Sequence, residues 1–220
     1  TVTITGALSL AGNTTIETNT AGSQTLDGDI TVTGTTNATG SETLTINSGS
    51  GAVDFGGLIG GTDGLGDVAI NTTAGTTGNL STGTIAIVGI GSADGTTMSG
   101  TDDGSTFTAG NTNTTLITLD GDMYFTDGDT LFEAASGNTI DNAGATAAVT
   151  YYKTDGNTLE FKGGTLYIQD ATTGINIATG GGAVTINSID GDHDETVTIN
   201  AGAGAVSVGR IGGSNALSSP

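Results

Sequence analysis

Residues 44–61 read LTINSGSGAVDFGGLIGG, and residues 197–213 read VTINAGAGAVSVGRIGG. Over the first ten positions the two phrases share seven residues, among them Thr45/Thr198, Ile46/Ile199, Asn47/Asn200 and Val53/Val206. A shorter echo, GGAVTINS, occupies 181–188. Each phrase alternates apolar and polar residues, breaks at glycine, and alternates again. Short β-like phrases recurring between glycines mark a repeat architecture, in which each unit buries its apolar edge against the next.

The same texture extends outward in both directions. Val2/Ile4, Leu8/Leu10, Ile30/Val32, Val68/Ile70 and Ile85/Ile87 are apolar pairs at period two. β-Branched residues at that spacing predict strands with one buried face, and Thr suits the wet face. No stretch carries apolar residues at helical spacing, so the fold class is all-β. The 40 glycines and the near absence of proline, with only Pro220, favour tight corners and unbroken hydrogen-bond ladders. Leu8, Ile30 and Val53 open similar pairs, which predicts rungs of roughly 20–25 residues stacked as a parallel β-helix (β-solenoid).

Three zones follow from composition. Residues 1–91 and 171–220 read as solenoid rungs, the latter ending in a C-terminal tail. Residues 92–170 hold eight of the nine aromatics: Phe107, Tyr124, Phe125, Phe132, Tyr151, Tyr152, Phe161 and Tyr167. There, Tyr124–Thr126 and Thr130–Phe132 flank Asp127-Gly128-Asp129, and Leu159–Lys162 and Thr165–Ile168 flank Gly163-Gly164. Both arrangements predict β-hairpins. The zone therefore reads as an antiparallel β insertion or second small β-domain, the alternative being further rungs filled with aromatics.

Phrases such as DITVTGTTNATGSETLTINSGSGAVDFGG, at 29–57, resemble the β-strand repeats of giant bacterial and archaeal surface proteins, including filamentous-haemagglutinin-like adhesins. The resemblance covers roughly 1–91 and 171–213 and is one of texture. It implies a right-handed parallel β-helix, secreted or surface-anchored, that serves attachment or an extracellular fibre. The aromatic zone departs from that pattern.

Charge narrows the partners. The formal net charge is −20, with Lys153, Lys162 and Arg210 the only cations. Nucleic-acid binding needs a basic footprint, which is missing, and anionic membrane surfaces are disfavoured for the same reason; neither nucleic acid nor membrane insertion is expected. There is no cysteine, hence no disulfide or thiolate metal site. No apolar run reaches the 18 residues or so of a membrane span. The opening TVTITG, without Met or signal peptide, reads as the start of a mature or excised segment in mid-strand. The expected location is extracellular or at the cell surface.

Four Asp-Gly-Asp triplets, at 27–29, 120–122, 127–129 and 190–192, exceed what the composition predicts. Closely spaced carboxylates can hold calcium, and Asp190, Asp192 and Asp194 have the spacing that opens a calcium loop. The loop lacks the glycine and glutamate of an EF-hand, and Asp-Gly is equally a plain turn signal. His193, the sole histidine, makes no zinc site alone. Tyr151 and Tyr152 are candidates for stacking on glycans, although at period two one of them must face inward. Sequons begin at Asn13, Asn37, Asn71, Asn79 and Asn113. No catalytic constellation stands out, and the chain does not read as an enzyme. The expectation is a structural building block of a surface fibre, sheath or appendage. It would self-associate head to tail or join neighbouring segments of a longer chain. The alternative is an adhesin rod that binds glycans through the aromatic zone.

Overall fold

The computed structural model describes residues 1–20, 27–76, 79–91, 105–143, 149–169, 174–192 and 195–213. Among them no helix forms, so none is long and apolar enough to cross a membrane. The strands are short and stack in parallel columns on three faces of a β-solenoid. The first face runs through Val2–Ile4, Ile30–Val32, Val53–Phe55, Thr84–Ile87, Leu116–Leu119, Thr139–Asn142, Thr165–Ile168 and the second half of Val184–Gly191. The second runs through Leu8–Leu10, Thr36–Ala38, single bridges at Ile59 and Ile90, then Met123–Phe125, Thr150–Lys153, Gly174–Ala178 and Thr196–Asn200. The third begins at Thr14–Glu17 and Leu44–Asn47, and its last layer is the first half of Val206–Ile211.

Register explains the core. Ile30 pairs with Val53, Val53 with Ile85, Ile85 with Ile117, Ile117 with Ile140 and Ile140 with Leu166, and every one of these is buried. Partners lie from 22 residues apart (Ile189 and Ile211) to 39 apart (Val68 and Phe107), so rung length varies at the corners rather than in the strands. In a parallel column the period-two pattern places like residues above like, and the apolar row becomes a continuous core.

The repeated phrase is a corner. In 44–53 it ends the third-face strand, turns at Ser48–Gly51 with Gly49 at φ 64°, and enters the first face at Val53. In 197–206 it ends the second-face strand, turns at Ala201–Gly204 with Gly202 at φ 60°, and enters the third face at Val206. The turns close alike, Gly51 N–H donating to the Ser48 carbonyl at 3.0 Å and Gly204 N–H to that of Ala201 at 2.9 Å. The echo uses the same corner, with Gly182 N–H on the Thr179 carbonyl and Gly180 at φ 65°.

The hairpin expectation is corrected by the pairing. Met123–Phe125 lies on the second face and pairs in parallel with Tyr151–Lys153 of the next layer, while Thr130–Glu133 lies on the third face beside Leu159–Lys162. Leu159–Lys162 and Thr165–Ile168 likewise lie on adjacent faces, each paired in parallel across layers. Ring stacking decides this. Tyr124 stacks on Tyr152 at 5.0 Å and Phe132 on Phe161 at 5.4 Å, and each tyrosine meets a phenylalanine edge-on. Folding either pair back as a hairpin would separate these stacks. The described residues of 105–169 therefore continue the same columns, with aromatic filling. Among the described residues the antiparallel pairing is confined to Gly75–Thr76 with Asn79–Leu80.

Candidate functional site

The aspartates are first of all joints between layers. Asp29 Oδ1 accepts the Ala52 N–H of the next layer at 2.9 Å. At the entrance to the third face the same clamp recurs: Asn13 Oδ1 holds Thr43 N–H, Asp67 Oδ1 holds Thr106 N–H, and Asp129 Oδ1 holds Thr158 N–H, at 2.8 to 3.0 Å. Asp27 takes the Thr20 amide at 2.6 Å and both the amide and hydroxyl of Ser50. Partial burial opposes its ionisation, but these three hydrogen bonds together outweigh it and hold the carboxyl below the usual range. Turn chemistry and charge-assisted capping thus account for Asp27, Asp29 and Asp129.

Of the proposed calcium ligands, Asp190 lies near the end of the strand Val184–Gly191 and Asp192 just after it. Asp190 is buried, and its Oδ1 accepts the amides of Gly191 at 3.1 Å and Gly213 at 3.0 Å. Asp192 Oδ1 accepts the Tyr167 hydroxyl. That hydrogen bond, with burial and neighbouring carboxylates, pushes the tyrosine up to about 12. Asp194 and His193 lie outside the described residues. Among the described residues no three carboxylate, histidine or cysteine side chains gather as a metal site would require.

Lower on the first face, carboxylates crowd. Burial and the nearby charge of Asp54 raise Asp120, and burial with the charges of Asp120 and Asp192 raises Asp141. Gln169 Nε2 donates to Asp141 Oδ2 at 2.5 Å, while Oδ1 is buried without a hydrogen bond. The linkage has a definite sign. A raised carboxyl contributes stability at low pH that is lost as pH rises through its folded value, whereas that of Asp27 is present at higher pH and lost in acid. On acidification from pH 7 toward the usual carboxylate range, the raised pair takes up protons first and general repulsion eases. Thermal melts should therefore show Tm rising over that interval, and Asp141→Asn should raise Tm at pH 7 and flatten the rise. A Tm that falls steadily from pH 7 would contradict this.

The two tyrosine candidates separate. Tyr152 is 1% exposed, its ring inside the stack and its hydroxyl donating to Asn142 Oδ1, and it offers nothing to a surface ligand. Burial pushes its hydroxyl well above the ordinary tyrosine value. Tyr151 faces outward and is 46% exposed. The register surrounds it with residues that the sequence did not single out. Met123, Tyr151 and Asn176 form one outward row, and Phe125, Lys153 and Ala178 the next. Lys153 Nζ sits 5.9 Å from the Phe125 ring centroid, a cation–π contact. Alternation within YFT and TYYK marks which residues can face out, but only the layer pairing puts Phe125 beside Lys153.

Comparison with protein-family models, with curated proteins and with solved structures finds no match.

Proposed function

We propose that this chain is an extracellular structural protein, a building block that assembles head to tail into a surface fibre, sheath or appendage. The observation that carries this reading is the state of the last described layer. Val206 and Ile211, in register with the buried Val184 and Ile189, are 50% and 60% exposed. They continue the core row, and among the described residues no layer lies above them. At the other end Val2, Ile4, Leu8 and Ile16 are only partly buried. Parallel ladders whose apolar rows are exposed at the first and last described layers suit a heterologous contact, which propagates instead of closing. Continued register would set Ile199 against Leu8 and Val206 against Thr14 of a second copy.

The layers also define a constraint. Arg210 and Ile211 already add a further layer to the first face, while among the described residues the second and third faces reach one layer lower. A copy seated on the lower two faces would bring its own Val2–Ile4 onto the place that Arg210–Ile211 holds, so one of the two strands yields on assembly. Electron microscopy of the purified chain at neutral pH should show filaments with a regular subunit repeat, and Val206→Asp with Ile211→Asp should leave dispersed particles. A chain that stays monomeric at high concentration would defeat the proposal.

One observation favours a second, compatible reading, that of an adhesive rod for glycans. It is the outward patch of Met123, Phe125 and Tyr151 on the second face.

A further inference from the structure

The outer second face at Met123, Phe125, Tyr151, Lys153 and Asn176 differs from the rest of the surface. Elsewhere outward positions are mainly Thr, Ser, Asn and Asp; on the first face they are Thr3, Thr31, Asp54, Ala86, Thr118 and Asp141, followed by the half-buried Tyr167, whose hydroxyl is taken by Asp192. Here two consecutive layers turn out Met123 with Phe125 and then Tyr151 with Lys153, a third adds Asn176, and Tyr151 is one of three exposed large hydrophobics among the described residues. The other two belong to the last described layer discussed above. Packing does not account for Tyr151, because its neighbour Tyr152 fills the core at that level.

The size of this surface limits its ligand. Strands stack about 4.8 Å apart, so three layers span roughly 10 Å. A stable protein partner covers on the order of 800 Å² on each side, which needs a far larger apolar face. A sugar ring fits that height. Pyranose rings present apolar C–H faces and hydroxyl rims, matching an aromatic body beside an ammonium and a carboxamide. Charge selects further. The chain carries −20, and Asp122 and Asp155 bracket the row in sequence, so a polyanionic glycan is repelled. Lys153 in turn disfavours a cationic amino sugar.

We infer that this face binds an uncharged glycan, one ring seated on Tyr151 and its hydroxyls on Lys153 Nζ and the Asn176 side chain. The inference rests on the adhesive reading and is independent of filament formation. The strand ladder holds the three layers in place, so binding incurs little ordering cost.

Calorimetric titration of the full chain with cello-, malto- and N-acetylchito-oligosaccharides, and with polygalacturonate, tests it. At least one neutral series should bind and polygalacturonate should not. Tyr151→Ala should weaken binding roughly tenfold, the factor that corresponds to about 1.4 kcal/mol. Tyr151→Phe should keep it, and Lys153→Gln should weaken it by a smaller factor. These side chains are exposed or half-buried, so unchanged circular dichroism will show that the variants fold. Tighter binding of polygalacturonate would overturn the neutral specificity, and neutral binding indifferent to Tyr151→Ala would overturn the site; either leaves the adhesive reading standing. Failure of every saccharide to bind would overturn both.

Discussion

Tyr152→Ala should destabilise the chain by about 4 kcal/mol, the middle of the range for deleting a buried aromatic. The ring is stacked on Tyr124 at 5.0 Å and meets the Phe161 edge at 5.2 Å, so two aromatic contacts go with the volume. Its hydroxyl donates to Asn142 Oδ1 and Asn142 Nδ2 donates to Thr150 Oγ1 at 3.3 Å, which leaves Asn142 short of a partner in the variant. Orphaning such a group costs about 1–3 kcal/mol. Against a typical total of roughly 5–15 kcal/mol, the loss is large enough to populate unfolded chain. Urea denaturation should show it, with Tyr152→Phe falling between wild type and alanine because it keeps the rings and loses only the hydrogen bond. An alanine variant as stable as wild type would mean that the aromatic stack does not hold these layers.

Gly121→Val should be comparably damaging, for the opposite reason. A Cβ at Gly121 would lie 1.4 Å from the Val88 carbonyl oxygen and 2.5 Å from its carbon. Both are backbone of the adjacent layer and cannot swing aside. Overpacking ordinarily costs about 1–3 kcal/mol, and here relief requires two layers to part, so about 3 kcal/mol or more is expected. Parting them also breaks the bond between the layers from the Tyr124 hydroxyl, which accepts the Gly121 N–H at 2.9 Å, to the Ile87 carbonyl at 3.0 Å. Soluble expression and thermal melts would reveal the effect. Gly137→Ala is the control, since a Cβ there meets nothing within 4 Å and only its positive φ of 85° is strained.

Much of the core was legible before any coordinates. Ile30/Val32, Val68/Ile70 and Ile85/Ile87 are inward pairs in both the sequence reading and the structure. The hairpins around Asp127–Asp129 and Gly163-Gly164 were not legible. Two short strands flanking a Gly or Asp turn look alike whether the chain reverses or rounds a solenoid corner. The difference lies in ring contacts between residues such as Phe132 and Phe161, separated by a full turn. The Asp-Gly-Asp excess was visible, but the clamp from Asp129 to Thr158 across a layer was not. Tyr151 was visible as a candidate, whereas its neighbours Phe125, Lys153 and Asn176 required the register.

By itself, then, the sequence determined an all-β chain of short strands with glycine corners and an apolar row at period two, because alternation and left-handed corner residues act within a few positions. The tertiary structure alone decided which face each strand joins. The phrase at 44–53 rounds the corner from third face to first, and its near copy at 197–206 rounds the corner from second to third. A corner's conformation is local, while its place in the rung depends on how many residues intervene and on which layer lies beneath. That choice is made by hydrogen bonds and stacking between residues a full turn apart, for which no short phrase carries a signal.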